Sequence, residues 1–261
     1  MNKTALITGA SSGIGKELAN IHAEQGGNLI IVARRAAKLE ELKNELEKKH
    51  SIKVTTITMD LSQPESPRRL YEAVNSKGLR VDYLMNNAGF GQRGKFHELD
   101  WTRQQQMIQL NMVSLTELMH WFLPDMVARN SGKILNTSST ASYMPGPLQA
   151  VYFATKSYVN FLGNAISEEL HDTNVTVTTL MPGATETEFA SSADMDKTGL
   201  FEKAVSARSV AKDGYEGMMK GKLNVVSGLT LSQKAMMTMI PFTPKRTMLK
   251  QIRKMQEVQS S

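Results

Sequence analysis

The sequence predicts an α/β fold in which helices cover both faces of one doubly wound parallel sheet. Short β-branched apolar segments alternate with longer amphipathic segments at the spacing of right-handed β-α-β units. A glycine cluster directly follows the first apolar segment, where such folds bind a phosphate group. With 261 residues, 41% of them hydrophobic, the chain can bury the core of a single domain.

Composition excludes several classes of protein. No cysteine is present, so disulfides, thiolate zinc sites and cysteine nucleophiles are excluded, and we predict no metal site. The chain begins with a strand-like segment, and no apolar run approaches the roughly 18 residues that span a bilayer. We therefore expect a cytoplasmic protein without a secretory leader or a transmembrane segment.

The net charge of +6 is concentrated near the C-terminus. Between Glu216 and Glu257 there are eight Lys and Arg residues and no acid, which leaves −2 for the rest of the chain. A basic surface over the whole domain is therefore not indicated, and we see no recognition motif for nucleic acid. We expect no nucleic-acid partner.

The first strand, from Thr4 to Thr8, and the glycine turn after it predict a phosphate site. Turns need glycine for steric reasons alone, but the strand before and the amphipathic helix after favour an anion at the helix N-terminus. The spacing is Gly-x-x-x-Gly-x-Gly rather than the commoner Gly-x-Gly-x-x-Gly. The residues expected to contact a cofactor here are Gly9, Ser11, Ser12, Gly13, Ile14 and Gly15.

The second strand, Asn28 to Ala33, ends in Arg34 and Arg35. In dinucleotide-binding folds an acid about 20 residues after the glycines holds the ribose 2′-hydroxyl, whereas an arginine accommodates a 2′-phosphate. The nearest following acid is Glu40, so the sequence favours NADP(H) over NAD(H). The alternative is that both arginines are solvated residues that open the charged helix 37–49.

Two more strands, 53–59 and 81–85, end in polar residues that we expect at the same edge of the sheet. Ligands of doubly wound sheets bind at the C-terminal ends of the strands. An Asp or Asn after a strand is, however, more commonly a turn-forming residue. The candidates for cofactor contacts at this edge are Asp60, Leu61, Asn87, Ala88 and Gly89.

The second half of the chain continues the alternation. Asp100 is expected to cap a long helix that carries Asn111 and that Pro124 kinks or ends. A fifth strand, 132–137, brings Ser139 to the same edge of the sheet. A sixth strand, a helix and a short last strand are expected at 175–181, 206–220 and 223–226. The segment 188–202 is expected to be mobile and to cover a ligand. Substrate contacts are expected in the loops near Phe90 and Tyr143 and in the segment 184–202.

Tyr152 and Lys156 are four residues apart on a predicted helix and so lie on the same face. A cation a few Å away can lower the pKa of a tyrosine by roughly 1 to 3 units, so that the phenol exchanges a proton near neutral pH. The pair could be an accident of a common residue type. None of the other five tyrosines, however, has a lysine four positions later.

In these features the chain resembles the short-chain dehydrogenase/reductase family over roughly residues 3 to 228, which implies a Rossmann-like fold. The residues that carry the resemblance are Thr8, the three glycines after it, Asp60-Leu61, Asn86-Asn87-Ala88-Gly89, Asn111, Ser139, Tyr152, Lys156 and Pro182-Gly183, all in the order of the family.

The resemblance implies a role for each of four catalytic residues. Tyr152 would be the general acid in carbonyl reduction, or the general base in alcohol oxidation. Ser139 would hydrogen-bond the carbonyl oxygen, and Asn111 would anchor a proton-relay water. Lys156 would lower the Tyr152 pKa and hold the nicotinamide ribose. The resemblance adds cofactor contacts from the residues after the sixth strand, which are Pro182, Gly183, Thr185 and Thr187.

The expected function is NADPH-dependent reduction of a ketone or aldehyde, or the reverse oxidation, with 3-oxoacyl, steroid-like or other apolar compounds as candidate substrates. One alternative is an NADP-binding regulatory protein that keeps the fold without the chemistry. Another is a sugar-nucleotide epimerase or dehydratase, but these usually have Gly-x-x-Gly-x-x-Gly and a longer C-terminal domain. The family pairs through its long helices, which implies a homodimer or homotetramer.

Residues 229–261 form a basic, Met-rich extension that we expect to pack on the domain formed by residues 1–228. The extension lacks the Asp-Gly-Gly ending of the acyl-carrier-protein reductases. Three roles are open: a subunit-interface element, a lid over an apolar substrate, and a segment that contacts a membrane surface. Pro241 and Pro244 break any single long helix, which disfavours the membrane role.

Overall fold

The computed structural model describes residues 3–195 and 204–257. It confirms the predicted fold class, because seven strands form one sheet in which every neighbouring pair is parallel. The described strands are β1 (Thr4–Thr8), β2 (Asn28–Ala33), β3 (Val54–Thr58), β4 (Tyr83–Asn86), β5 (Gly132–Thr137), β6 (Val175–Pro182), β7 (Thr185–Glu186), β8 (Val205–Ser206) and β9 (Asn224–Ser227). Strands β7 and β8 form a separate short pair.

Helices connect the strands on both faces of the sheet. They are α1 (Gly13–Glu24), α2 (Ala36–Lys49), α3 (Ser66–Ser76), α4 (Trp101–Ile108), α5 (Leu115–Ala128), α6 (Ala150–Glu169), α7 (Phe189–Ser192), α8 (Ala207–Met219), α9 (Leu231–Met239) and α10 (Lys245–Gln256). No helix among these is long and apolar enough to cross a bilayer.

Both faces of the sheet are buried, as a parallel sheet with helices on each side requires. Strand β2 shows this directly: Leu29 and Ile31 belong to the core under α1, α2 and α8, whereas Ile30 and Val32 belong to the core under α3, α5 and α6. A continuous apolar run in the sequence therefore becomes a strand that contributes to two cores.

The strand order in the sheet is β3-β2-β1-β4-β5-β6-β9. The chain adds β2 and β3 on one side of β1 and the later strands on the other side, so the topological switch point lies between β1 and β4. Connections on the two sides of this point leave toward opposite faces, which opens a crevice beyond the C-terminal ends of the strands. The glycine turn after β1 and the residues that follow β4 and β5 border this crevice.

The long helix of the second half excludes one of the two effects predicted for Pro124, which were a kink or an end of the helix. Pro124 does not end it, because α5 continues to Ala128 and places Pro124 on the exposed side, where water can reach a carbonyl that lost its partner. The interruption lies earlier, in a π-helical turn at Gln109–Ser114 between α4 and α5. In the C-terminal extension the predicted break is confirmed, since Ile240–Phe242 separates α9 from α10.

Candidate active site

The glycine turn leaves room for an anion at the start of α1. Gly9 and Gly13 have φ of +69° and +53°, a region that side chains disfavour. A Cβ on Gly9 would lie 3.0 Å from the Ala88 Cα, and one on Gly15 would overlap the Gly9 carbonyl oxygen. Ser12, at the N-cap of α1, makes no capping hydrogen bond with its side chain. The first N–H groups of α1 are therefore available to a phosphate, so the cradle fits a dinucleotide.

The two arginines after β2 have different surroundings. The Arg35 guanidinium donates to the Ser11 Oγ at 3.0 Å and pairs with Glu188 at 2.9 Å. Arg34 has no hydrogen bond or ion pair with any residue that the structure describes. Burial raises the pKa of Asp60, but hydrogen bonds from Ser62 and the Arg34 charge together bring it below its usual value. Arg34 thus offers a free guanidinium beside the cavity, as a 2′-phosphate contact requires.

Thr8 fixes the loop after β4 to the glycine turn. Its Oγ1 accepts the N–H groups of Asn87 and Ala88, each at 3.0 Å. The Asn87 Nδ2 donates to the Thr8 carbonyl at 3.1 Å. We did not predict Thr8 as a site residue, although its place directly before Gly9 in the motif could have indicated it.

Asn111 lies in the π-helical turn, a feature that is frequent at functional sites, and only 1% of it is exposed. Its Nδ2 donates to the Phe90 carbonyl at 2.9 Å and to the Thr155 Oγ1 at 3.1 Å. Its Oδ1 accepts the Phe90 N–H at 3.2 Å. A Cβ on Gly89 would lie 3.0 Å from the Asn111 Oδ1 and 3.3 Å from the Lys156 Nζ, so the residue between these groups must be small.

Ser139, Tyr152 and Lys156 converge beyond the end of β5. The Ser139 Oγ accepts the Ala141 N–H at 3.1 Å, which orients it at the start of a short 3₁₀ turn. Tyr152 lies in the first turn of α6, and Lys156 follows one turn later. The Lys156 Nζ donates to the Thr137 carbonyl at 2.9 Å and lies 5.8 Å from the centroid of the Tyr152 ring.

Burial dominates the titration of this pair. It raises the pKa of Tyr152 to about 12, against a smaller opposing effect of a hydrogen bond with Ser139. It lowers the pKa of Lys156 to about 8. The expected lowering of the Tyr152 pKa is therefore wrong for this structure, because desolvation penalises both charged forms and the ammonium bonds a backbone carbonyl instead of the phenol. Tyr152 is therefore protonated at neutral pH, as a proton donor must be.

One cavity of about 780 Å³ brings the predicted site residues together. Of the predicted cofactor contacts, only Gly15 does not line it, since that glycine packs beneath the turn. Asn111 is also absent from its wall and lies behind Phe90. No cluster of His, Asp or Glu within 3–195 and 204–257 could hold a metal ion. We call the part of the cavity bordered by the glycine turn and the ends of β2, β3 and β4 the cofactor half.

The remainder, which we call the substrate half, is largely apolar. The sequence placed substrate contacts near Phe90, Tyr143 and the segment 184–202. Tyr143 is 39% exposed and does not line the cavity; its neighbour Met144 does. Residues 196–202 lie outside the described residues. The side chains that line the substrate half are Phe90, Arg103, Gln106, Leu110, Met144, Gln149, Phe153, Phe189, Ser192, Met195, Ile252, Met255 and Gln256.

Helix α10 closes one side of the substrate half. Met248 and Ile252, 9% and 7% exposed, share an apolar cluster with Tyr152 and Phe153. The Gln149 Nε2 donates to the Gln256 Oε1 in a buried hydrogen bond. No motif marks these contacts in the sequence. The i, i+4 spacing of Met248 and Ile252 is the pattern that could have indicated a buried face.

Comparison with known proteins identifies the family of this chain. A sequence model of a family described as short chain dehydrogenase matches residues 3–198. The very-long-chain 3-oxoacyl-CoA reductase of Rattus norvegicus is 30% identical over 197 residues, which are 73% of this chain and 62% of that protein. The chain thus spans less than two thirds of that relative's length.

Two further relatives concern the cofactor. The NADP-dependent 3-hydroxy acid dehydrogenase of Schizosaccharomyces pombe is 36% identical over 193 residues, 72% of this chain and 73% of that protein. A short-chain dehydrogenase from Sphingobium yanoikuyae, solved in complex with NADPH, superposes with a TM-score of 0.83 at 27% identity, over 98% of this chain and 99% of that one. NADP(H), which the sequence predicts, is thus the cofactor named for both proteins.

Proposed function

Because this chain belongs to the short-chain dehydrogenase family, we propose that it is an NADPH-dependent carbonyl reductase that acts on an apolar ketone or aldehyde. The observation that carries the proposal is the single cavity in which a phosphate cradle, Arg34, and the Ser139, Tyr152 and Lys156 side chains meet. The NADP-dependent fission yeast relative and the NADPH-bound Sphingobium structure support the choice of cofactor.

The cofactor supplies, when bound, the hydride that reduces the carbonyl carbon. The N–H groups at the start of α1 hold its phosphates, and Arg34 holds a 2′-phosphate. The Ser139 hydroxyl donates a hydrogen bond to the substrate oxygen while negative charge develops there. Tyr152 donates its phenolic proton to that oxygen. Lys156 holds the nicotinamide ribose, and Asn111 orients a water that returns a proton to the site.

The walls of the substrate half define the substrate class. Phe90, Leu110, Phe153, Phe189 and Ile252 exclude water from the reacting carbon, so an apolar chain or ring would gain free energy on entering. A 3-oxoacyl thioester, the substrate in the name of the rat relative, is one member of this class. Steroid-like ketones are another.

We assign the C-terminal extension the role of a lid, the second of its three predicted roles. Ile252, Met255 and Gln256 of α10 line the substrate half, and Met248 and Ile252 pack on the catalytic domain. The interface and membrane roles stay predictions, as does a cytoplasmic location. We further propose pairing into a homodimer or homotetramer through α5 and α6, where Val127 and Phe161 are 38% and 72% exposed.

The experiment that tests this function is nicotinamide fluorescence of NADPH and NADH titrated with the purified full chain. Aldehydes, ketones and 3-oxoacyl thioesters are then added to the same sample. Tight NADPH binding followed by oxidation on one carbonyl class is the expected result. Binding without turnover of any carbonyl would favour the alternative function, an NADP-binding regulator. No binding of either nucleotide would contradict the proposal.

A further inference from the structure

Apart from Tyr152 and Lys156, which stand at the border of the two halves, the described residues that line the substrate half include one ionisable side chain. Every other lining residue there is apolar or carries a neutral amide or hydroxyl group, whereas Arg103 carries a permanent positive charge. Arg34, Arg35, Asp60 and Glu188 belong to the cofactor half. Arg103 is half-buried, so an anion that enters the pocket can reach its guanidinium.

The fold holds Arg103 on the cavity wall. Asp100 caps α4 by accepting the Arg103 N–H at 2.7 Å, which fixes the first turn of the helix. Gln106 and Leu110 follow at helical spacing and line the same wall. The cap therefore sets which residues of this segment face the substrate.

The guanidinium of Arg103 rests on the wall that also holds Asn111. Its Cζ lies 5.1 Å from the centroid of the Phe90 ring, and the Phe90 backbone exchanges two hydrogen bonds with Asn111. Its Nη2 donates to the Ser192 carbonyl at 2.7 Å. The stacked ring and this one hydrogen bond orient the planar group and leave most of its five N–H donors without a partner in the described chain.

Arg103 has no carboxylate partner among the described residues, as is also true of Arg34 and Arg93, but of these three it alone lines the substrate half. Arg68, Arg80, Arg208 and Arg253 each pair with a carboxylate within 3.4 Å. No carboxylate of the described residues pairs with Arg103, because the Asp100 carboxylate is engaged by the backbone of the helix it caps. The position that a counterion would take on Arg103 faces the cavity.

We propose that Arg103 is an anion subsite, and that the substrate is an apolar carbonyl compound with a carboxylate remote from the reacting carbon. A planar carboxylate can accept two parallel N–H bonds from a guanidinium, which matches the exposed edge of this side chain. The inference deepens the proposed function and rests on it for the carbonyl chemistry, while the anion contact itself can be measured separately. Arg103 acts in it as a specificity-determining residue.

The test uses a series of oxo acids of increasing chain length and their methyl esters, with NADPH oxidation as the readout. The ratio of kcat/KM for an acid to kcat/KM for its methyl ester isolates the effect of the substrate's negative charge. A charge-assisted hydrogen bond corresponds to about tenfold to hundredfold in such a ratio, so the wild-type chain should prefer at least one acid by about tenfold or more. Arg103→Gln should reduce that ratio to about one, and Arg103→Lys should retain part of it.

Arg93→Gln is the matched control. The Arg93 Nε donates to the Asp194 carbonyl at 2.9 Å, so it also tethers the segment after α7, but Arg93 does not line the cavity. This variant should keep the acid preference of the wild type. A wild-type preference for every ester, or an Arg103→Gln chain that keeps the acid preference, would overturn the proposal. Loss of the preference in Arg93→Gln as well would show that the tether, and not the charge, is responsible.

Calorimetry separates this proposal from the proposed function. Decanoate and methyl decanoate are titrated into the full chain saturated with NADP⁺. The anion subsite predicts that decanoate binds about tenfold more tightly than its ester and that Arg103→Gln removes the difference. This result without turnover of any carbonyl would retain the subsite and reject the reductase, whereas equal binding of both compounds would reject the subsite alone.

Discussion

The two halves of the cavity are built in different ways. The cofactor half comes from short contiguous motifs at strand ends, where the backbone does most of the binding: the glycine turn, the residues after β2 and β3, and the loop that Thr8 holds. The substrate half is assembled from α4, the segment before α6, α7 and α10, which lie far apart in the chain. The cofactor half therefore depends on local conformation, whereas the substrate half depends on long-range packing. Mutations in the cofactor half should therefore change nucleotide binding alone, and mutations in the substrate half should change the use of the carbonyl compound alone.

The largest effect should come from Tyr152, which stands at the border of the two halves. Tyr152→Phe removes the proton donor and should lower kcat by about 10²- to 10⁴-fold, while the dissociation constant for NADPH changes little. Tyr158→Phe is the control. Tyr158 is on α6, as Tyr152 is, but its hydroxyl bonds the Thr116 Oγ1 at 3.0 Å and it does not line the cavity. Normal turnover by Tyr152→Phe would contradict the assigned mechanism.

A change in the cofactor half should affect the nucleotide alone. Arg34→Ala should weaken NADPH binding by about tenfold to hundredfold, because a charged contact to the 2′-phosphate is lost, and should leave NADH binding nearly unchanged. Fluorescence titration of both nucleotides measures the difference. Lys38→Ala, which removes an exposed cation that pairs with Glu41 at 2.9 Å, is the control. Equal losses for NADPH and NADH in Arg34→Ala would refute the 2′-phosphate assignment.

A change in the substrate half should affect the carbonyl compound alone. Ile252→Ser removes a buried apolar group from the cavity wall and should raise KM for an apolar ketone about fivefold to tenfold. NADPH affinity should stay at the wild-type value. Lys250→Ser, on the exposed side of the same helix, should change neither quantity. If Ile252→Ser left KM unchanged, α10 would not be a lid over the substrate.

The smallest effect concerns stability. The folded pKa of Lys156 is about 8, below the 10.5 of a free lysine, so its charged form destabilises the folded state below pH 8 and this penalty is relieved as pH rises. Tyr152, with its pKa raised to about 12, stays neutral in the fold, whereas an unfolded tyrosine is half ionised at about pH 10, so measurements should end at about pH 9.5. Lys156 by itself should raise the free energy of unfolding by about 1.5 kcal/mol between pH 8 and 9.5.

Urea unfolding of the wild type and Lys156→Met at these two pH values measures this contribution. All other titrating groups are shared, so the wild type should gain about 1.5 kcal/mol more than the variant over this interval. An equal change in both chains would show that Lys156 keeps an ordinary pKa in the fold.

The sequence predicted the fold class, the main strands and the residues of the cofactor half, because each follows from local patterns: β-branched strands, a glycine turn, polar residues at strand ends. It did not decide whether Pro124 ends the helix or lets α5 continue, since solvent exposure of that turn depends on tertiary position. It also gave the wrong direction for the Tyr152 pKa, because a spacing of four residues does not report burial.

The substrate half was the least predictable part for the same reason. Arg103, Gln149 and Ile252 meet only after α4, α6 and α10 have packed together, and no motif near any of them marks a site. The sequence shows Ile252 as an apolar residue at helical spacing. It does not show that Ile252 shares a cavity wall with Gln149, which lies more than 100 positions earlier in the chain.

Isotope transfer tests whether this cavity transfers a hydride to a carbonyl carbon. The full chain is incubated with NADPH carrying deuterium at nicotinamide C4, as each C4 epimer in turn, together with an apolar ketone. A reductase of the proposed kind gives an alcohol that is one mass unit heavier from one epimer, with the deuterium on the carbinol carbon. An unlabelled alcohol from both epimers, or tight NADPH binding with no alcohol from any ketone, would contradict the proposed function.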